Sequence, residues 1–255
     1  MSDRRKIEVW DVLKAPNKWN NVSPIVFLFF LQLFIIVISF SKCLAIVITI
    51  DPGHSISRSG ALSCSGIKEV YFNDNMASVL ALKLQKKGYS TRITRKENES
   101  PSLIQRAAMA KGSDVLISIH HDSVQPQFLE KLAGNRQCSN HANGYSIFIS
   151  RKNTHFDQSR AVAVRISTEL RHSGFTPSLH HAEDVPGENR QLFDRSLGIY
   201  FFDDLVVLKK APVAAILIEA FVIVNPADEG RAADPVTIGR FSEAIATALT
   251  GGAIR

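Results

Sequence analysis

Two imidazoles and one or two carboxylates converge where short apolar runs end. Asp51-Pro52-Gly53-His54 follows Ile46–Ile50 (IVITI), His120-His121-Asp122 follows Val115–Ile119, and Glu219 lies in Ala214–Ala220 (AAILIEA). Glu69 opens an amphipathic stretch between the first two. Two His and one Glu around a divalent zinc ion, with a fourth position open to water, is the composition of a catalytic zinc site. Such a site also needs a carboxylate near that water to carry protons. Residue types alone leave open which carboxylate would bind and which would carry protons. A single His at a strand end is more often structural than a ligand; several converging on one rim favour the metal.

The elements that must position these groups alternate strand and helix. Ile46–Ile50, Tyr89–Thr94, Val115–His120, Tyr145–Ser150 and Ala214–Ala220 read as strands, several apolar on both faces. Leu205–Leu208 adds a short one. Glu69–Lys87 spaces Phe72, Met76, Leu80 and Leu84 four apart and stops at Gly88, predicting a helix. Ser100-Pro101 predicts an N-cap and first helical position for a helix through Ala110. Ser159–His172 and Val236–Leu249 complete the helices, and 173–204 reads as irregular and polar. The expected fold is α/β: a mainly parallel central sheet with helices on both faces, in a single domain. Open sheets of that kind bind ligands beyond the carboxyl ends of their strands.

From Ile46 to the C-terminus the chain resembles the zinc-dependent N-acetylmuramoyl-L-alanine amidases of the amidase type 3 family. The resemblance rests on IDPGH (Ile50–His54), Glu69, Thr94-Arg95 with Leu103 and Arg106, SIH (Ser118–His120), Asn189-Arg190, LVVLKKA (Leu205–Ala211) and LIEAFVIVNPADE (Leu217–Glu229), in that order. It implies that His54, Glu69 and His120 bind Zn²⁺ and that Glu219 is the catalytic carboxylate. The implied reaction is cleavage of the amide between N-acetylmuramic acid and the L-Ala of the peptidoglycan stem. Asp51 would orient His54 through its other ring nitrogen.

The chain departs from the family pattern close to these positions. Ser55-Ile56 replaces the usual Gly-Gly after the first His, and a longer Ser-rich loop follows. His121-Asp122 stands where small residues are usual, Phe221 where a glycine is usual, and Asn98 where an Asp is usual. Alternation along a strand points His121 away from the side His120 faces. His180-His181 with Glu183-Asp184 is expected to be a solvated loop, or a segment lying over the cleft, rather than a second metal cluster. Arg190 could pair with a substrate carboxylate. His141, His155 and His172 read as surface residues. Cys64 and Cys138 lie in loops leaving the metal-bearing rim, and an exported domain could join them in a disulfide.

Residues 1–45 are expected to lie outside this domain. A polar segment with Arg4, Arg5, Lys6, Lys14 and Lys18 precedes the uncharged run Ile25–Phe40, and Cys43-Leu44-Ala45 offers small residues for cleavage. That layout is a signal peptide, or an uncleaved signal anchor built on residues 25–40. Either exports the domain to the periplasm or cell envelope, with the membrane touched only through this segment. Six of the 30 Lys and Arg and three of the 24 Asp and Glu fall there, so residues 46–255 carry only +3. That is no nucleic-acid footprint. Peptidoglycan is the expected partner, with an activator protein as a further one. A zinc peptidase cutting within the stem peptide and a non-catalytic wall-binding module are the competing readings.

Overall fold

The structure, a computed structural model, describes residues 46–131 and 136–250; the expected signal segment lies outside them. Among the described residues no helix is long and apolar enough to cross a membrane. The strands are β1 Val47–Pro52, β2 Ser90–Ile93, β3 Val115–Asp122, β4 Glu130–Lys131, β5 Gln137–Cys138, β6 Ser146–Ile149, β7 Leu192–Asp194, β8 Ile199–Phe201 and β9 Ala214–Val222. The helices are α1 Glu69–Lys86, α2 Leu103–Ala108, α3 Phe156–His172, α4 Val206–Lys210, α5 Pro226–Ala233 and α6 Pro235–Thr250.

Seven strands form one sheet in the order β2-β1-β3-β9-β6-β8-β7, and β4-β5 is a separate hairpin. The β2-β1-β3-β9 half is parallel, β6 runs antiparallel to β9, and β7 antiparallel to β8. Because β1, β3 and β9 are neighbours pointing the same way, their carboxyl ends form one rim. The side-chain period of two sorts the interior into two layers. Ile48, Ile50, Val115, Ile117, Ile119, Ile216 and Ile218 face the larger core with Met76, Leu80, Leu84, Ile166, Leu170, Phe241 and Ile245 of α1, α3 and α6. Leu116, Phe148, Tyr200, Ala215 and Leu217 face a smaller one with Val207 and Leu208 of α4.

Three elements depart from the sequence expectation. The second helix begins after Ser102, whose side chain and that of Gln105 form a reciprocal capping box; this signal outcompetes Pro101, which stays outside the helix. Leu205–Leu208 is not a strand, because Val206–Lys210 coils into α4 and so turns Val207 and Leu208 onto the sheet. Residues 173–204 contain β7 and β8, strands of three residues that are too short for alternation to reveal.

Beyond β1, two buried arginines hold the turn that leads into His54. Arg106 donates from Nε to Asp51 Oδ1 (2.7 Å) and from its η nitrogens to the carbonyls of Pro52 and His54. Arg95 donates to the carbonyls of Pro52 (3.3 Å) and Gly53 (3.0 Å), and pairs with Asp74 at 2.6 Å. Asp51 is fully buried and also accepts from Thr94 and Ser118. The TR-x7-L-x2-R pattern therefore acts through backbone carbonyls and one buried carboxylate. After β9, the Asn225 side chain caps α5 by accepting from Ala227 and Asp228 N–H groups, with Pro226 at the first helical position. Glu229 of that helix accepts from Ser63 and Ser65. Cys64 and Cys138 are joined in a disulfide, and both flanking segments hydrogen-bond the chain just after β9 (Cys64 N to Ile223 O and Ser139 N to Val224 O, each 2.9 Å).

Two outcomes follow. Denatured full-length chain titrated without reductant shows one reactive thiol, from Cys43, and three after reduction; three before reduction would refute the disulfide. Arg106→Ala leaves the Asp51 carboxylate buried without its cation, which costs roughly 3–5 kcal/mol in urea unfolding, partly recovered by adding Asp51→Asn. An unchanged midpoint would show the pair to be dispensable.

Candidate metal centre

His54 leaves the end of β1 with φ +62°, a left-handed conformation that a non-glycine residue adopts only when its surroundings hold it there. The arginine clamp on the preceding carbonyls supplies that hold. Glu69 is the first residue of α1, where a carboxylate meets the positive end of the helix dipole. His120 lies near the end of β3 and is the ladder partner of Glu219 on β9. Three distant stretches of sequence thus deliver one nitrogen, one carboxylate and another nitrogen to the same rim.

The ligand atoms of His54, Glu69 and His120 all lie within 4.8 Å of one another. His54 Nε2 is 3.0 Å from Glu69 Oε2, and His120 Nδ1 is 3.2 Å from Oε1. Glu69 is almost fully buried, and burial by itself would raise its pKa. Hydrogen bonds from His120 and His54 overcome that and hold it well below the usual carboxylate range. Backbone N–H groups of Ala61 (3.0 Å) and His121 (3.2 Å) and the Asn73 amide (3.0 Å) complete its shell. Two glycines make room. A β-carbon on Gly53 would lie 2.5 Å from His120 Cε1, and one on Gly60 would overlap the Glu69 carboxylate. An anionic carboxylate between two imidazole nitrogens, in a cradle with no space for extra carbons, suits a divalent cation.

Glu219 is half-buried on the neighbouring strand, and its Oε2 is shut from solvent with no hydrogen-bond partner. Burial first, then the negative charges of Asp122 and Glu69, push its pKa well above the ordinary carboxylate value. A cavity of about 600 Å³ opens beside His54 and His120, walled by Ser55, Ser57, Arg58, Ser102, Gln105 and Arg106 among others.

Several residues sit otherwise than the sequence suggested. Asp51 does not orient His54, because Arg106, Thr94 and Ser118 occupy its oxygens. His121 does turn to the opposite face, as expected, where it lies between the rings of Phe72 and Phe221. Burial lowers its pKa to about 4, so it is a neutral imidazole, and its Nδ1 lies 2.8 Å from Asn73 Oδ1. Asn73 was missed from sequence although it stands four residues after Glu69, on the same helix face. Arg190 stacks on Phe202, its Cζ 3.6 Å from the ring centroid.

The expectation of a solvated loop at His180-His181 is wrong. Both residues are buried in a short 3-10 turn folded onto the end of β3, each with Nε2 close to Asp122. His141 and His172 are exposed, as expected.

Known proteins share this sequence pattern and this fold. The sequence profile of the amidase type 3 family, described as N-acetylmuramoyl-L-alanine amidase, matches residues 48–251. A probable cell wall amidase, LytH of Staphylococcus aureus, is 28% identical over 184 residues, covering 71% of this chain and 50% of LytH. The chain thus spans about half the length of the curated relatives it matches. Among solved structures, the amidase Ami1 from Mycobacterium smegmatis superposes with a TM-score of 0.64 at 21% identity, over 81% of this chain and 95% of Ami1. The CwlD amidase from Clostridioides difficile, solved in complex with the GerS lipoprotein, gives 0.59 at 17% identity over 80% and 96%. At such identities the superpositions establish the fold. With four-fifths of its length matched by the profile, this chain belongs to the N-acetylmuramoyl-L-alanine amidase family.

Proposed function

We propose that this protein is a zinc-dependent hydrolase that cleaves the amide between N-acetylmuramic acid and the L-Ala of the peptidoglycan stem. The observation that carries this reading is the meeting of His54, Glu69 and His120 within 4.8 Å, beside Glu219 on the adjacent strand. Those three residues would hold the ion. When bound, Zn²⁺ supplies Lewis acidity, polarising a carbonyl and acidifying water.

The chain's own groups do the rest. Glu219 is the proton carrier: it takes a proton from the attacking water and returns one to the departing amine. Its raised proton affinity suits both halves of that task. Asn73 and the N–H groups of Ala61 and His121 keep the Glu69 carboxylate oriented as a ligand, and His121 in turn orients Asn73. Arg95 and Arg106 hold the His54 turn through its backbone carbonyls. The serine hydroxyls and Arg58 along the adjoining cavity suit the hydroxyls and carboxylates of a glycan-linked peptide.

Residues 46–255 form the catalytic domain in this reading. Residues 1–45 export it to the cell envelope, as a cleaved signal or a membrane anchor. Peptidoglycan is the substrate, and a protein activator is a partner; CwlD, for its part, is held in a complex with the GerS lipoprotein.

The test is incubation of the full chain with purified peptidoglycan, with and without chelator, and mass spectrometry of the new ends. Intact stem peptides carrying a free L-Ala amine, absent with chelator, are expected; shortened stems would identify a peptidase, and no product a wall-binding module. Glu219→Ala should keep zinc and lose about 10²–10⁴-fold in rate, whereas His54→Ala loses both metal and hydrolysis. A fully active Glu219→Ala protein would remove the assigned proton carrier.

A further inference from the structure

A second cluster of metal-ligand chemistry lies beyond the same strand ends. Asp122, the last residue of β3, points Oδ2 at His181 Nε2 (2.8 Å) and His180 Nε2 (3.3 Å). The three ligand atoms lie within 4.8 Å of one another. His180 and His181 are both more than nine-tenths buried. Each imidazole is also held from its far side. His181 Nδ1 is 2.8 Å from Glu188 Oε2, whose other oxygen accepts from Gln125, and His180 Nδ1 is 2.9 Å from Ser178 Oγ. A partner on the second ring nitrogen fixes tautomer and ring orientation, which is how proteins present histidines to metals.

An ion-pair network alone accounts for only part of this arrangement. His181 bridges Asp122 and Glu188, an arrangement that an ion pair satisfies. His180 Nε2, however, is buried with no hydrogen-bond partner, although it faces the oxygen that His181 engages. An unpaired polar atom out of water is costly. One cation shared by Asp122 Oδ2, His180 Nε2 and His181 Nε2 would satisfy all three at once.

We infer that Asp122, His180 and His181 form a second metal site, taking a borderline divalent transition ion such as Zn²⁺. Two imidazoles and a carboxylate match that class of ion rather than Ca²⁺ or Mg²⁺, which prefer oxygen ligands. The ion fastens the 178–190 segment to the end of β3, two residues beyond His120. The site does not depend on the amidase reading, since it shares no ligand with the His54–Glu69–His120 centre.

The experiment strips metal from the full chain with chelator, reloads it with Zn²⁺, removes excess and counts bound zinc by mass spectrometry. Wild type should hold about two equivalents, and the His180→Ala/His181→Ala and His54→Ala/His120→Ala double variants about one each. Wild type and the His180/His181 variant binding equally, with matching circular dichroism, would overturn the second site. Zinc-edge anomalous diffraction of the wild-type protein removes dependence on variant folding: a peak between Asp122, His180 and His181 supports the site, and its absence at saturating zinc refutes it. Failure at His54 and His120 alone would instead count against the amidase centre.

Discussion

The Glu69 carboxylate is removed from water at the first turn of α1, and an anion so placed is stable only if positive or hydrogen-bond-donating groups surround it. The donors come from almost every direction: two imidazoles, two backbone N–H groups, the Asn73 amide and the helix N-terminus itself. Satisfying one buried charge therefore brings the end of β1, the loop before α1 and the end of β3 to a single point. A divalent cation at that point would be the strongest of these partners, which is why the local fold and the proposed chemistry make the same demand.

The arginines belong to the same economy of buried charge. Asp51 begins the turn to His54 and cannot be left unpaired, so Arg106 reaches it from α2 while also binding carbonyls of that turn. Arg95, just past β2, binds the carbonyls of Pro52 and Gly53, with Asp74 balancing its charge. The left-handed conformation of His54 is held by these contacts rather than by local preference. Carboxylates that look alike in sequence thus have different tasks: Asp51 anchors a turn, Glu69 faces the imidazoles, and Glu219 keeps a raised proton affinity.

The departures from the family pattern are linked in space. His121 and Phe221 stand on adjacent strands with their rings stacked, so a large residue at one position packs against a large residue at the other. Asp122 receives the buried pair His180-His181. Replacing small residues after His120 has therefore filled one face of the rim with an aromatic stack and given the other a polar anchor for the 178–190 turn.

Much of this was legible in the sequence because it is periodic or local. Apolar runs marked the core strands, four-residue spacing marked α1, and the types of His54, Glu69, His120 and Glu219 named a metal chemistry. Strand order was inferable only as a class, yet the rule that sites lie at strand carboxyl ends was enough to gather those four residues. Tertiary structure decided what depends on long-range pairing. It turned Leu205–Leu208 from an apparent strand into a helix start, completed the sheet with three-residue strands, and gave Asp51 to Arg106 instead of His54. Most of all it buried His180 and His181: a polar loop has no periodicity to reveal what it packs against, and only the fold placed the Asp122 carboxylate beneath it.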